Sequence, residues 1–233
     1  MKVTYIHHSS FLAETGRVSL LFDYFEGRVR LPEGKPAVIF ASHRHGDHFS
    51  PAVFHLAEGR QDVYFVLSDD IWRKRVPKEL AERTLFIGPG QEKALPWLPW
   101  IQVRTFRSTD EGVAFLLDAD GTVIYHAGDL NNWQWAGESE QYNRKMEEEY
   151  RRQLKAMAGA RIGVAFVPLD PRQEGDFYKG MDDFMTMVGA KWVFPMHCWG
   201  DFSVIGKLKS MERSAGYRDR ILDIKEDGQE FDI

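Results

Sequence analysis

The sequence has 233 residues, of which 43% are hydrophobic and 13% aromatic, so it can bury one sizeable core. A net charge of −5 gives no electrostatic reason to expect nucleic acid or an anionic membrane surface as a partner. The single cysteine excludes an intrachain disulfide, and no apolar run approaches the roughly 20 residues of a membrane span. The chain also opens as a strand rather than as a signal peptide. We therefore expect one cytoplasmic domain, residues 1–233.

The first part of the chain alternates predicted strands with short helices, which is typical of a layered α/β fold. The order is a strand meander at 2–24, a strand at 37–40, a helix with Ser50 as its N-cap, a strand at 63–67, a short helix ending near Arg75, and a strand at 85–87. Asp23, at the end of the meander, is either a turn-former or a group that orients a ligand histidine. The pair His7-His8 lies between two predicted strands, a position that favours a structural role over direct metal binding.

The loop after the strand at 37–40 carries four potential metal ligands within six residues. They are His43, His45, Asp47 and His48. Imidazole nitrogen and carboxylate oxygen together suit zinc and the neighbouring first-row metals. Such a density of ligands is difficult to explain by packing, so we expect distant parts of the chain to supply further ligands.

The second part of the chain predicts an antiparallel segment followed by further strand–helix units. Strands are predicted at 101–106, 113–117, 122–125, 162–167, 191–194 and 221–224, and helices at 139–158, 182–188 and 203–214. The apolar stripe of the 139–158 helix predicts core packing. Asp129 and His197 each follow a predicted strand, where α/β folds collect their site residues.

The motif His-x-His-x-Asp-His at 43–48, followed by Gly128-Asp129 and Pro195-Met196-His197, resembles the metallo-β-lactamase superfamily. The segments 5–11, 125–129 and 195–197 are most similar to its ascorbate-phosphate-lactonase-like branch. This resemblance implies an α/β fold, the four-layer αβ/βα sandwich, with a metal site at one edge of two facing sheets.

The resemblance also implies a set of ligands for two metals. His43 and His45 would bind the first metal, and Asp47, His48 and His197 the second, while Asp129 would bridge both. The first metal also takes a mid-chain histidine in that superfamily, and this sequence has no histidine between His55 and His126.

Three explanations of this departure stay open. In the first, Asp110 or Ser108 completes the first site with oxygen, because divalent metals accept carboxylates. In the second, the first site is weak or empty, which leaves a single metal in the second site. In the third, the Arg107 guanidinium supplies positive charge and holds an anionic substrate group. His126 and Cys198 favour packing roles.

These residues predict a metal-dependent hydrolase that acts on an ester, lactone or phosphodiester bond of a small metabolite, sugar-like or anionic. Asp47 and Asp129 are the expected catalytic carboxylates. The expected cofactor is one or two divalent ions, zinc first, with manganese or iron as alternatives. Arg107, Asp110, Asn132 and Trp133 are candidate substrate contacts. The alternative is a degenerate, mononuclear or non-catalytic ligand-binding member of the superfamily.

Overall fold

The computed structural model describes all 233 residues, which form thirteen strands and three α-helices. The strands are β1 (Lys2–His7), β2 (Ser10–Glu14), β3 (Ser19–Phe22), β4 (Ala37–Ala41), β5 (Val63–Ser68), β6 (Thr84–Ile87), β7 (Glu92–Ala94), β8 (Gln102–Arg107), β9 (Val113–Ala119), β10 (Thr122–His126), β11 (Ile162–Pro168), β12 (Ala190–Met196) and β13 (Glu230–Asp232). The helices are α1 (Glu140–Ala156), α2 (Lys179–Met187) and α3 (Ser203–Ser210). None of the helices is long and apolar enough to cross a lipid bilayer.

The strands form two sheets. The first has seven strands in the order β13-β1-β2-β3-β4-β5-β6, and the second has six in the order β12-β11-β10-β9-β8-β7. Strands β3 to β6 run parallel to one another, as do β10, β11 and β12. Because the carboxyl ends of parallel strands meet at one edge of a sheet, each sheet gathers its loop residues at one place.

The core lies mainly between the two sheets. Phe40 of β4 meets Phe115 of β9, and Phe11 of β2 meets Phe166 of β11, with ring centroids 5.2 and 4.4 Å apart. The preceding residue of β4, Ile39, points away from this core into a second hydrophobic cluster, which also contains Phe54. This alternation is what a strand buried on both faces requires, and it produces the predicted four layers.

The outer face of the second sheet is covered by α-helices, and that of the first sheet by 3₁₀ turns. On the second sheet, Tyr125 of β10 stacks on Phe184 of α2 with ring centroids 5.2 Å apart. On the first sheet the cover is a series of 3₁₀ turns, including Pro51–Ala57, where Ser50 accepts from the Ala52 N–H as the predicted N-cap. The predicted α-helix after Ser50 is therefore a 3₁₀ turn.

The predicted strand at 221–224 was wrong. Ile221 makes only an isolated bridge to Val193, and the last strand is β13, which pairs antiparallel with β1. The sequence signal of β13 is weak because the strand is short and its outer residues, Glu230 and Asp232, are exposed.

Candidate metal centre

Loops from both sheets meet at one edge of the sandwich. The loop after β4 carries His43 and His48, which are fully buried, and His45, whose side chain is 42% exposed. From the second sheet come Asp129, three residues beyond β10, and His197, directly after β12 with a positive φ of 61°. The residues that the sequence motif predicted as ligands therefore converge from widely separated positions.

Eight side chains form two groups whose potential ligand atoms lie within 4.8 Å of one another. Site one consists of His43, His45, Asp110 and Asp129, and site two consists of His8, Asp47, His48 and His197.

Asp129 lies between the two sites. One carboxylate oxygen, Oδ2, is 3.5 Å from His43 Nε2 in site one. The other, Oδ1, is 3.2 Å from His48 Nε2 and 3.6 Å from His197 Nε2 in site two. Burial alone would raise the pKa of Asp129, but the imidazoles around it, His48 first, hold that pKa well below its ordinary value. Asp129 is therefore an ionised carboxylate in the bridging position.

The second ring nitrogen of three buried ligand histidines is held by a partner. His43 Nδ1 is 2.9 Å from Ser42 Oγ, and His48 Nδ1 is 2.7 Å from Asp23 Oδ2. His197 Nδ1 is 2.9 Å from Asp170 Oδ2. These contacts leave the Nε2 atoms directed into the centre, as metal-binding histidines require.

Asp23 has the orienting role that was one of its two predicted possibilities. It is fully buried, and besides His48 it accepts from both the N–H and the hydroxyl of Ser42 at 2.7 and 2.6 Å. Burial opposes ionisation, but His126 and His48 together keep the pKa of Asp23 below its ordinary value. The carboxylate thus supports the backbone of the ligand loop as well as one ligand.

The residues of the centre fit a cation. His8 Nε2, His48 Nε2 and Asp129 Oδ1 are buried without a hydrogen-bond partner, a costly arrangement unless another group binds them. Burial, followed by repulsion from His48, lowers the pKa of His43 to about 4, so its imidazole is in the neutral form that ligates metals. The facing Asp129 and Asp23 raise the pKa of His48 despite its burial, so they favour positive charge here.

His8 is a ligand candidate, although the sequence favoured a structural role for it. It follows β1 with a positive φ of 54°, and its Nε2 lies 3.5 Å from Asp47 Oδ2. Its ring centroid is 4.2 Å from that of His197. The neighbouring His7 instead meets Glu26 and Asp227 at the surface. Of these two neighbours, His7 therefore has a structural role at the surface, and His8 belongs to site two.

The structure brings Asp110, rather than Arg107 or Ser108, to site one. Asp110 Oδ2 lies 3.6 Å from His45 Nδ1. The Ser108 hydroxyl accepts from the Asp110 N–H at 3.1 Å, within its own loop. Arg107 is exposed and lines a neighbouring cavity of about 410 Å³, so it does not supply charge at site one.

A cavity of about 330 Å³ opens onto the centre. Trp133 and Trp135 line it with nearly parallel rings, 5.8 Å between centroids, and Trp199 and Arg172 stand beside them. Asn132 does not line the cavity, because it is buried and its amide donates to Asp183 at 3.1 Å.

His126 and Cys198 pack as predicted. His126 stacks on Phe22 with ring centroids 5.0 Å apart, and its Nε2 lies 2.9 Å from the Ser9 carbonyl oxygen. Cys198 is buried, and burial raises the pKa of its thiol, so it stays protonated.

The chain is similar to known proteins in sequence and in fold. A family model described as a β-lactamase superfamily domain matches residues 2–143. A UPF0173 metal-dependent hydrolase of Alkaliphilus metalliredigens is 26% identical over 230 residues, covering 88% of each chain. Another, from Opitutus terrae, is 32% identical over 154 residues, covering 55% of this chain and 63% of the relative.

Solved structures support the fold. Igni18, a metallo hydrolase from Ignicoccus hospitalis, superposes with a TM-score of 0.67 at 17% identity, covering 100% of this chain and 98% of its own. The metallo-β-lactamase fold protein YhfI from Bacillus subtilis gives 0.63 at 13% identity, with 99% of both chains covered. With more than half of the chain matched by the family model and the ligand motif assembled in space, the chain belongs to the metallo-β-lactamase superfamily.

Proposed function

We propose that this metal-dependent hydrolase cleaves an ester, lactone or phosphodiester bond of a small anionic or sugar-like metabolite. The observation that carries the proposal is Asp129, which joins two ligand groups beside a cavity of about 330 Å³. Divalent metals in such a centre supply an activated water and polarise the bond to be cleaved.

Two carboxylates of the chain have the placement that hydrolysis needs. The Asp129 main-chain carbonyl accepts from the Trp133 indole N–H at 2.8 Å, which fixes the residue while its carboxylate faces both sites. We assign Asp129 to orient the attacking water and Asp47, which lines the cavity, to accept its proton. The nearby His8, whose Nε2 lies 3.5 Å from Asp47 Oδ2, lowers the pKa of Asp47, so this carboxylate is ionised at neutral pH.

The walls of the cavity support a cyclic or anionic substrate. The faces of Trp133 and Trp135 offer stacking area, and the half-exposed Arg172 offers charge-assisted donors. Arg172 is held at the rim by Asp170 and lies over the Trp199 ring at 4.5 Å. The resemblance of the sequence to ascorbate-phosphate-lactonase-like proteins supports a lactone among the possible bonds.

We also propose a cytoplasmic location and a small molecule rather than a nucleic acid as the partner. The net charge of −5 supports the choice of partner, and a single buried cysteine is compatible with a reducing compartment.

Turnover by the metal-loaded protein and by Asp129→Asn tests the proposal. A panel of chromogenic esters, lactones and phosphodiesters would be assayed after loading with zinc, manganese or iron. We expect turnover of at least one class, reduced about 100-fold or more in Asp129→Asn, because misplacing the attacking water costs on that scale.

The matched control is Asp118→Asn, which changes an exposed carboxylate on β9 and should retain wild-type turnover. Unchanged turnover in Asp129→Asn would refute its role. A protein that binds metal and hydrolyses no class of the panel would favour the non-catalytic alternative.

A further inference from the structure

The 108–112 loop, between β8 and β9, is clamped against both sides of the centre. The Thr109 hydroxyl donates to the Asn131 carbonyl at 2.6 Å and accepts from the Asn131 N–H at 3.0 Å. On the other side Gly112 has a φ of +67°, and a Cβ there would lie 2.0 Å from the Ser42 carbonyl oxygen. The loop therefore has little freedom to move away from site one.

This loop presents two adjacent carboxylates, and they have different environments. Glu111 Oε1 accepts from Arg44 at 2.5 Å, while its Oε2 lies 3.4 Å from His45 Nε2 on the outer side of that ring. Asp110 faces the inner nitrogen, His45 Nδ1, at 3.6 Å, and no basic side chain other than His45 pairs with it. Glu111 is thus paired with Arg44 and lies outside the His45 ring, and Asp110 is the carboxylate available as a ligand.

The two sites consequently differ in their donor atoms. Site one offers two imidazoles, from His43 and His45, together with the carboxylates of Asp110 and Asp129. Site two offers three imidazoles and the single carboxylate of Asp47, with Asp129 shared between the sites. The third imidazole belongs to His8, whose buried Nε2 has no other partner.

We propose that the two sites bind different metals, a harder ion such as manganese(II) or iron(II) in site one and zinc in site two. Zinc binds nitrogen and oxygen sites more tightly than manganese(II) does, and this advantage is smaller where carboxylate oxygen replaces imidazole. A limited supply of zinc should therefore fill site two and leave site one to the harder ion. The inference rests on the proposed function, since it assumes that both sites are loaded.

Competition between metals tests the inference without any substrate. Metal-free protein would be equilibrated under nitrogen with one equivalent of zinc per chain and an excess of manganese, and then separated from free metal. Elemental analysis should find about one zinc and about one manganese per chain, and the manganese should give an electron paramagnetic resonance spectrum of an immobilised ion.

Two substitutions at one position sharpen the test. Asp110→His gives site one a third imidazole, and we expect added zinc to displace its manganese, with loss of the manganese spectrum, at a lower concentration than in the wild type. Asp110→Asn should lower the manganese content at least about fivefold and leave zinc near one per chain, because site two is unchanged. Asp118→Asn serves as the matched control and should bind as the wild type does. The unfolding temperature of each variant shows that it is folded.

The inference is overturned if the wild type retains no manganese beside its one zinc, or if Asp110→His loses its manganese only at the zinc concentration that the wild type needs. Its failure is distinct from failure of the proposed function. A protein with one zinc and one manganese that hydrolyses nothing would refute the hydrolase and leave the metal assignment standing.

Discussion

At the scale of single residues, the centre depends on glycines that permit close approach. Gly128 precedes the bridging Asp129 and has a φ of +51°. A Cβ on it would lie 2.7 Å from the Ser42 Cβ and 3.0 Å from the Val113 carbonyl oxygen. Any other residue at this position must therefore displace the loop after β4 or the start of β9.

We expect Gly128→Ala to destabilise the protein by about 1–3 kcal/mol, from backbone strain and contact with Ser42. Thermal unfolding would measure it. Gly137→Ala is the control, because Gly137 is exposed and nothing lies within 4 Å of its added Cβ. Equal unfolding temperatures in the two variants would contradict the prediction.

The sequence identified those residues of the centre that stand close together in the chain or belong to a recognisable motif. His43 to His48 stand together in the chain, and Asp110 was considered because a histidine was missing nearby. By contrast, His8 and Asp170 have partners more than twenty residues away in the chain. His8 joins His48 and His197 in site two, and Asp170 contacts the ring of His197. Nothing in their local sequence separates them from a turn histidine and a helix-capping aspartate, so only the fold reveals their roles.

At the scale of elements, α1 was predicted correctly in extent, but its apolar stripe serves two purposes. Tyr150 is buried, and its hydroxyl donates to the Gly180 carbonyl at 2.9 Å, as core packing requires. Tyr142 is 42% exposed and lines the cavity together with Met146. The helix therefore packs against α2 at its carboxyl end and forms a wall of the proposed substrate site at its amino end.

This division predicts different effects of substitution along one helix. Tyr142→Ala should raise KM for the substrate several-fold and leave the unfolding temperature nearly unchanged, because it removes cavity wall but little core. Tyr150→Ala should cost about 3–5 kcal/mol of stability through the cavity it leaves. Steady-state kinetics and thermal unfolding would separate the two, and a large loss of stability in Tyr142→Ala would contradict the assignment.

The strands were predicted well where they are buried. The parallel strands β4 and β5 read as continuous apolar runs because both of their faces are covered, and that signal is strong. The edge strands β7 and β13 have only three residues each, with exposed charges at both ends of β13. Pairing with a neighbour defines them, and a single sequence does not show that pairing.

At the scale of the whole molecule, the metal centre joins the two sheets. The first sheet and its loops supply His8 and the 43–48 ligands, and the second supplies Asp110, Asp129 and His197. A ligand that binds only the folded state stabilises it by a free energy that grows with the logarithm of its concentration relative to Kd.

We therefore expect metal at about 100 times its Kd to stabilise the folded protein by about 2.7 kcal/mol per site, which corresponds to an increase of about 5–10 °C in unfolding temperature. Calorimetry before and after treatment with a chelator would measure the increase. His48→Ala should abolish the contribution of site two, whereas His55→Ala, at an exposed histidine, should not change the increase. An unfolding temperature that does not respond to metal would contradict the joining of the sheets by the centre.

The wide separation of the ligands along the chain has a consequence for the kinetics of folding. His8 lies at the end of the first strand, and His197 follows the last strand of the second sheet. Contacts between such distant segments form slowly, because the entropy of closing a long loop is lost before the contacts contribute favourable free energy. High-affinity metal uptake should therefore be among the last events of refolding, and its time course would report the completion of the native topology.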